Sequence, residues 1–241
     1  MKTIICIFII TFFFNPSSKS QNITNILGTN GVFSIKSGSN TYLILSQNGG
    51  YLDLNKCLIL PYTTSSSTGV LYKSADRFLH NYGTANTFLG IQSGNFTMTG
   101  SGNTANGLFS LYSNTTGNDN TTIGFRTLFS NTTGFFNTAL GSHSLTDNTT
   151  GNYNTALGYR TLYVNTTGSE NTALGFQTLS TNTTGRQNTA VGNFSLFNNT
   201  TGINNIGIGS NSEVPSGTSN NQVRIGNTFI GYAGIQVAWS I

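Results

Sequence analysis

Charged residues are scarce in this sequence, and their scarcity excludes one large class of partner. They make up 7% of the 241 residues, against about 25% in an ordinary soluble domain. The few Lys and Arg residues are scattered and form no cluster that would neutralise a run of phosphates, so we expect no nucleic-acid partner. Solubility must come instead from the amides and hydroxyls of the abundant Asn, Thr and Ser.

Cysteine and histidine are nearly absent, which argues against a disulfide framework and against a metal site. Cys6 lies in the apolar N-terminal segment, so Cys57 alone would remain in a mature chain, and one cysteine cannot form an internal disulfide. The apolar residues 58–60 beside it favour a buried side chain, with an intermolecular disulfide as the alternative. His80 and His143 have no Cys or carboxylate at ligand spacing, so we predict no metal and no cofactor.

The first twenty residues are predicted to be a secretory signal peptide. Lys2 is followed by an apolar run from Ile4 to Phe14 and then by small residues up to Ser20. The run of eleven residues is about half of the ~20 that span a bilayer, so we expect cleavage after Ser20 and no transmembrane segment. The mature chain is then expected to be secreted or displayed at the cell surface, with eight basic and six acidic residues after the loss of Lys2 and Lys19.

Glycine and asparagine recur every 17 residues through the middle of the chain, and residues 17 positions apart form a column. The repeat is clearest in FRTLFSNTTGFFNTALG (125–141), YRTLYVNTTGSENTALG (159–175) and FQTLSTNTTGRQNTAVG (176–192). One glycine column runs from Gly83 to Gly202 and a second from Gly90 to Gly209. An asparagine column contains Asn86, Asn103, Asn120, Asn137, Asn154, Asn171, Asn188 and Asn205. A fixed period of this length is typical of solenoid proteins.

The composition of the repeat predicts strands and turns. Gly, Asn and Thr are poor helix formers, so each repeat is expected to be one coil with two short strands, of the 154–157 and 161–163 types. Stacked coils place equivalent residues about 4.8 Å apart. We therefore predict an all-β fold in which residues 83–209 form a parallel β-solenoid, or β-roll, of eight 17-residue coils. Residues 21–82 are expected to form a small N-terminal β cap, and residues 210–241 a C-terminal β segment.

Three short strands are expected within the cap, at 32–35, 42–45 and 51–54. Asn48-Gly49-Gly50 between the last two is typical of a β-hairpin. A cap of this kind would cover the edge that the first coil would otherwise expose.

Alternation along a strand assigns the columns of the repeat to faces. Leu140, Leu157 and Leu174 are predicted to form a dry interior row, continued by Val191, opposite a second row that runs from Leu128 to Leu196. The asparagine column has two interpretations. Asn137, Asn154, Asn171 and Asn188 either hydrogen-bond amide to amide between coils, as stacked Asn does in cross-β assemblies, or occupy turns.

A column of alanines suggests that several chains associate. Ala139, Ala156, Ala173 and Ala190 stay small, whereas a solvent-facing column would vary. Two large apolar side chains per coil also bury too little surface to stabilise 17 ordered residues on their own. We therefore expect a homotrimer whose chains meet at the alanine column.

The NTALG copies resemble the head repeats of trimeric autotransporter adhesins, and more closely the NTALG-repeat tail-fibre-domain proteins of Gram-negative bacteria. The resemblance covers residues 26–241. GVLYKSADRFLHNYG (69–83), NTFLG (86–90) and SGNFTMTG (93–100) are similar to the N-terminal lead-in of that second group. Such relatives imply a trimeric parallel β-roll displayed outside the cell, with a structural or adhesive role.

The end of the sequence departs from these relatives. NNQVRIGNTFIGYAGIQVAWS (220–240) is similar to the stretch that precedes an endosialidase-type intramolecular chaperone domain. The Ser-Asp-x-Arg-type segment at which such relatives cleave themselves is not matched, so the resemblance implies a chain shortened before the chaperone domain, or one that does without it. No catalytic role is carried over.

The acidic residues of the coils do not form an enzyme's active site. Asp119 and Glu170 share a column but lie three coils apart, roughly 14 Å along the stack, whereas glycosidase carboxylates are about 5 to 9.5 Å apart. Asp147 lies in another column without a partner. We therefore predict a non-catalytic structural fibre or adhesin-like protein, with a phage-like tail fibre that binds surface glycans as one alternative.

An ice-binding solenoid is a second alternative, because regularly spaced Thr hydroxyls on a flat face can match an ice lattice. Thr132 and Thr133 are adjacent, however, so a strand would point them to opposite faces, and Gly134 places them near a corner. The same Asn-Thr-Thr stretches are glycosylation sequons. Their simpler role is turn formation, and we expect them to carry no glycan if the source is bacterial, as the resemblance implies.

One column has a concentration of positive charge. Arg126, His143 and Arg160 occupy it in three successive coils, so their side chains are expected to stack about 4.8 Å apart on one strand face. A variable solvated column is the alternative interpretation, because Gln92, Phe109, Gln177 and Phe194 occupy the same column elsewhere. We predict that this stripe contacts acidic glycans, on a host or other cell surface, through planar Arg donors.

Overall fold

The computed structural model describes residues 32–37, 40–46, 52–53, 70–73 and 76–227, and no helix occurs among them. The chain divides into two compact units, Met1–Ile59 and Leu60–Ile241. The expected signal peptide, Cys57 and the sequence from residue 228 onward lie outside the described residues.

The first unit contains a three-stranded antiparallel sheet. Its strands are β1 (Val32–Ser37), β2 (Asn40–Ser46) and β3 (Leu52–Asp53), and β2 is central. Strands are therefore present where the sequence predicts them. The Asn48-Gly49-Gly50 turn lies outside the described residues.

The second unit contains one sheet of eleven strands. Its strands are β4 (Leu71–Lys73), β5 (Asp76–His80), β6 (Thr87–Leu89), β7 (Thr104–Asn106), β8 (Thr121–Ile123), β9 (Thr138–Leu140), β10 (Thr155–Leu157), β11 (Thr172–Leu174), β12 (Thr189–Val191), β13 (Ile206–Ile208) and β14 (Val223–Ile225). Strand β5 pairs antiparallel with β4 on one side and β6 on the other, and every later pair is parallel.

The parallel strands are the rungs of a β-solenoid. Thr155 pairs with Thr172, Ala156 with Ala173 and Leu157 with Leu174, so each strand is in register with the one 17 residues further on. The predicted fold class is thus confirmed. The stack also continues past residue 209, because β14 pairs in register with β13.

Each coil contains one strand. A second strand was predicted at residues 161–163 and at the equivalent residues of the other coils, and that prediction is wrong. The backbone there is left-handed, with φ of 51° at Arg160 and 50° at Leu162. An extended strand requires negative φ, whereas left-handed residues bend the chain so that 17 residues close one coil. Each left-handed residue costs about 1–2 kcal/mol of conformational energy. Hydrogen bonds between coils compensate, as where Leu145 N donates to Thr161 O at 3.0 Å.

From Leu111 to Leu196 the interior holds one large apolar side chain per coil. Leu128, Leu145, Leu162, Leu179 and Leu196 are fully buried, and this predicted row is confirmed. The other predicted row is wrong, because Leu140 is 48% and Leu174 46% exposed and Leu157 is only half-buried. The alanine column faces inward in its place, since beside Leu162 and the buried amides a methyl group fills the remaining space.

The alanines are therefore small because of their own coil and not because a second chain approaches them. Ala156 is 0% exposed within a single chain. The expectation that copies meet at the alanine column is wrong. A contact between copies must use another face.

Much of the interior is polar. A buried hydroxyl column contains Ser93, Ser110, Thr127, Ser144, Thr161, Thr178, Ser195 and Ser212. These hydroxyls bond backbone carbonyls or one another, as where Ser144 Oγ donates to Ala156 O at 3.0 Å and Thr161 Oγ1 to Gly175 O at 2.9 Å. Buried hydroxyls that are paired in this way avoid most of the desolvation penalty.

His80 closes the N-terminal end of the solenoid. Its buried ring lies between Phe88 and Phe96, with ring centroids 4.7 and 4.8 Å away. Nε2 is 2.8 Å from Ser93 O and Nδ1 accepts from Tyr82 N, which together define a neutral ring protonated at Nε2. Burial lowers the pKa of His80 to about 4, so the ring is uncharged at neutral pH.

Enlarging an interior alanine should destabilise the solenoid. We expect Ala156→Leu to lower its stability by at least about 1–3 kcal/mol, because a well-packed interior has no space for three more carbon atoms. Arg186→Leu is the matched control, since it adds leucine at an exposed position whose column already contains Phe135 and Ile203. Thermal unfolding followed by circular dichroism measures both, and equal melting temperatures would contradict the inward position of Ala156.

Candidate functional site

The asparagine column forms a ladder through the interior. Asn154 Nδ2 donates to Asn137 Oδ1 at 3.1 Å and to Gly168 O at 2.9 Å, while Asn154 N donates to the same Asn137 Oδ1 at 3.0 Å. The arrangement repeats at Asn171 and Asn188. The sequence allowed two interpretations of this column, amide hydrogen bonds between coils or turn residues. The structure contains the hydrogen bonds between coils.

A second ladder consists of the asparagines of the Asn-Thr-Thr stretches, Asn114, Asn131, Asn148, Asn165, Asn182 and Asn199, all fully buried. Asn165 Nδ2 donates to Asn148 Oδ1 at 2.8 Å and to Gly168 O at 2.9 Å. Sequence reasoning assigned these residues only to turns. The signal for the ladder is the constancy of the asparagine over six coils, the same signal that suggested a ladder for the first asparagine column.

The second ladder also excludes glycosylation of these sequons in the folded chain. Both hydrogens of the Asn165 side-chain amide are donated, and its nitrogen is inaccessible. The next glycine leaves no space either, because a Cβ on Gly168 would collide with Asn165 Oδ1 and with Gly185 O.

Changing one amide of this ladder to a carboxylate should be strongly destabilising. In Asn165→Asp the new oxygen would face Asn148 Oδ1 and Gly168 O, two acceptors, in a buried site. We expect a loss of about 3 kcal/mol or more at pH 7. Burial raises the pKa of such an acid, so the deficit relative to the wild type should shrink as the pH falls and the carboxyl gains a proton that it can donate.

The control for this change is Asn193→Asp at an exposed position of the same solenoid. Melting temperatures at pH 7 and pH 4 are compared with the wild type at the same pH. An Asn165→Asp protein that melts like the wild type at pH 7 would show that the ladder does not need its amide.

The outward side chains of the parallel strands form a second feature, the outer sheet face. It consists of a first column, Thr87, Thr104, Thr121, Thr138, Thr155, Thr172, Thr189, Ile206 and Val223, and a second column, Leu89, Asn106, Ile123, Leu140, Leu157, Leu174, Val191, Ile208 and Ile225. None of these side chains is charged. The face is thus a strip with a row of hydroxyls beside a row of partly or largely exposed apolar groups.

The predicted cationic stripe, Arg126, His143 and Arg160, occurs in three successive coils. These residues lie in turns with left-handed backbone, at φ of 52°, 59° and 51°, and the prediction that they share a strand face is wrong. Their backbone nitrogens still bond from coil to coil, as where His143 N donates to Phe125 O at 2.8 Å. The stripe therefore keeps the spacing of the coils although no strand supports it.

Aromatic rings surround the stripe. The Arg126 Cζ lies 4.3 Å from the centre of the Phe129 ring, and the Arg160 Cζ lies 4.8 Å from that of Tyr163. His143 contacts Phe125, with ring centroids 5.0 Å apart. Sequence reasoning selected the three cations but not these rings, although they recur in the columns on either side.

Burial and the two arginine charges shift the pKa values of His143 and of the nearby Asp147. Burial lowers the pKa of His143, and the positive charges of Arg160 and then Arg126 lower it further. Burial raises the pKa of Asp147, and the Arg126 charge opposes that shift. Asp147 was expected to have no partner, and the structure places it within the electrostatic influence of Arg126.

Residues 32–227, where described, contain no cluster of three or more His, Cys, Asp or Glu side chains that would hold a metal ion. Within the same ranges no helix is long and apolar enough to cross a membrane. The exposed Asp119 and Glu170 remain in one column, and Glu170 accepts from Gln187 Nε2 at 3.1 Å.

Comparison with known proteins adds no family. No protein-family model matches the chain, and neither the curated proteins nor the solved structures give a match. The class is therefore defined by the fold alone, as an all-β parallel solenoid with a 17-residue coil.

Proposed function

We propose that this chain is a non-catalytic structural fibre segment, secreted or displayed at the cell surface, in which three copies associate through the outer sheet face. The row of exposed apolar side chains on that face carries the proposal. It extends over nine strands, from Leu89 to Ile225, and Asn106 is its one polar member.

A parallel sheet with one uncovered face is unusual, since purely parallel sheets are almost always covered on both faces. Here the inner face of β6–β14 packs on the rest of the coil, and the outer face does not pack on any described part of the chain. Contiguous exposed apolar surface of this kind is typical of protein–protein interfaces.

The best partner for this face is another copy of the same chain. The face bears no charge, so like copies do not repel one another. Its period is that of the coil, so two copies in register place apolar rows side by side along their whole length. A closed arrangement about an axis buries the same face of every copy, and the resemblance of the NTALG coils to trimeric fibres favours three.

Removing two leucines from the outer sheet face should weaken the assembly. We expect wild-type protein to have three times the chain mass in sedimentation or light scattering, and Leu140→Gln/Leu174→Gln to shift towards the monomer. A half-exposed leucine contributes about 1 kcal/mol on burial, so the six side chains of a trimer contribute roughly 6 kcal/mol.

The matched control is Tyr153→Gln/Phe176→Gln, which removes two exposed apolar side chains from other faces of the coil. Its mass should equal that of the wild type. A monodisperse wild-type monomer would refute the assembly. A trimer that is equally stable in both variants would refute the assignment of this face.

Ice binding is a second candidate, and one observation favours it. Seven threonines, from Thr87 to Thr189, point outward from consecutive strands in register, about 4.8 Å apart. This column is better placed than Thr132, whose hydroxyl donates to Thr149 O at 3.0 Å. The two functions make opposite demands, because the face is covered in a trimer and must be open to bind ice. Thermal hysteresis in a monomeric protein would favour ice binding, and a trimer without it would favour the fibre.

A further inference from the structure

The two arginines of the cationic stripe have hydrogen-bonding capacity that the described chain does not use. The guanidinium nitrogens of Arg126 and Arg160 form no hydrogen bond with any described residue, and the Nε of each is buried without a partner. Arg77, on the same side of the solenoid, is different. Its Nε and Nη2 donate to the carbonyls of Ser93 and Gly94. The guanidinium group of Arg77 therefore holds the backbone of the first coil, whereas those of Arg126 and Arg160 form no such hydrogen bond.

The aromatic rings fix the orientation of both free guanidinium groups. Arg126 lies over Phe129 and Arg160 over Tyr163, and the face of an aromatic ring attracts a planar cation held above it. With Nε buried, the terminal nitrogens are the donors left for a ligand. A guanidinium held flat in this way presents a fork of N–H groups that matches a carboxylate.

The neighbouring exposed rings favour an anion and disfavour a stacked ligand. Tyr159 and Phe176 are nearly parallel, at 19° and 5.4 Å between centroids, so each covers part of one face of the other. The edge of an aromatic ring is its positive region. A base or a sugar therefore has less ring face on which to stack here, whereas an acidic group can meet the ring edges and the arginine cations together.

We propose that Arg126, His143 and Arg160, with the rings of Phe129, Tyr159 and Tyr163, form a binding surface for an acidic polysaccharide that carries carboxylates. The two arginines are separated by two coils, about 10 Å, and the chain of the polysaccharide would lie along the fibre axis so that successive acidic sugars meet successive cations. The surface belongs to other columns than the outer sheet face, so it does not depend on the proposed assembly.

The charged surroundings set the pH dependence of this binding. His143 faces Arg126 and Arg160, the rings of Phe125, Tyr159 and Tyr163, and the Ser142 hydroxyl, whose oxygen is 2.9 Å from Nδ1. The charge of Arg126 also acts on Asp147, whose pKa it lowers against the effect of burial. Because burial and then the charges of Arg160 and Arg126 lower the pKa of His143, the third cation of the stripe forms only below the usual range of histidine, and binding should strengthen as the pH falls from 7.5 to 5.

The test uses full-length protein and polygalacturonate, a carboxylate-bearing polysaccharide, with dextran as the neutral probe. We expect the dissociation constant for polygalacturonate at low salt to rise at least about fivefold in Arg126→Gln/Arg160→Gln. Arg186→Gln and Arg160→Gln each remove one positive charge. Comparing their dissociation constants therefore distinguishes an effect of the binding surface from an effect of net charge. Arg186→Gln should change the constant less than about twofold, and Arg160→Lys, which keeps the charge but loses the fork, should lie between Arg160→Gln and the wild type.

Melting temperatures check that the variants fold, and the chain mass is measured on the same samples so that loss of binding is not confused with loss of assembly. A His143→Gln protein should lose most of the gain in affinity at pH 5. Equal binding by wild type and the double variant would overturn the proposal. So would equal binding of dextran and polygalacturonate, or tighter binding of a single-stranded oligonucleotide.

Discussion

The hydrogen bond between asparagine side chains of successive coils is the interaction on which the rest of this structure depends. Asn154 donates to Asn137 and accepts from Asn171, and the second ladder links Asn148, Asn165 and Asn182 in the same way. These amides are buried, and an unpaired one would cost about 1–3 kcal/mol. A coil one residue longer or shorter would leave amides unpaired, so the ladders fix the repeat at 17 residues and, with it, the position of every other column.

The sequence predicts the parts of the fold that follow from this period. The repeat and the poor helix propensity of Gly, Asn and Thr are enough to predict these parts. They are the coil length, the parallel register, the absence of helix from the described residues and the burial of the Leu162 column. It was harder to predict which side chains of each strand point into the interior. Hydrophobicity favours burying Leu157 over Ala156, but the interior is filled by amides and hydroxyls and has no room for a second leucine.

The candidate sites were predicted to a different extent. The period alone places Arg126, His143 and Arg160 in one stripe. What it does not give is the left-handed backbone at these residues, because non-glycine residues rarely adopt it and hydrogen bonds between coils impose it here. That backbone sets which rings each arginine meets. The outer sheet face likewise depends on the assignment of alanine to the interior, so an error in one column changed the predicted surface of association.

Because the coils stack in register, the number of coils can change without any change in the fold of each coil. Each ladder amide bonds only to the coils directly before and after it, so inserting or deleting one whole repeat restores every hydrogen bond. Such a change would alter the separation of the two ends by one rung, about 4.8 Å, without creating a new core. The length of such a solenoid is therefore set by the number of its repeats and can change in steps of one rung.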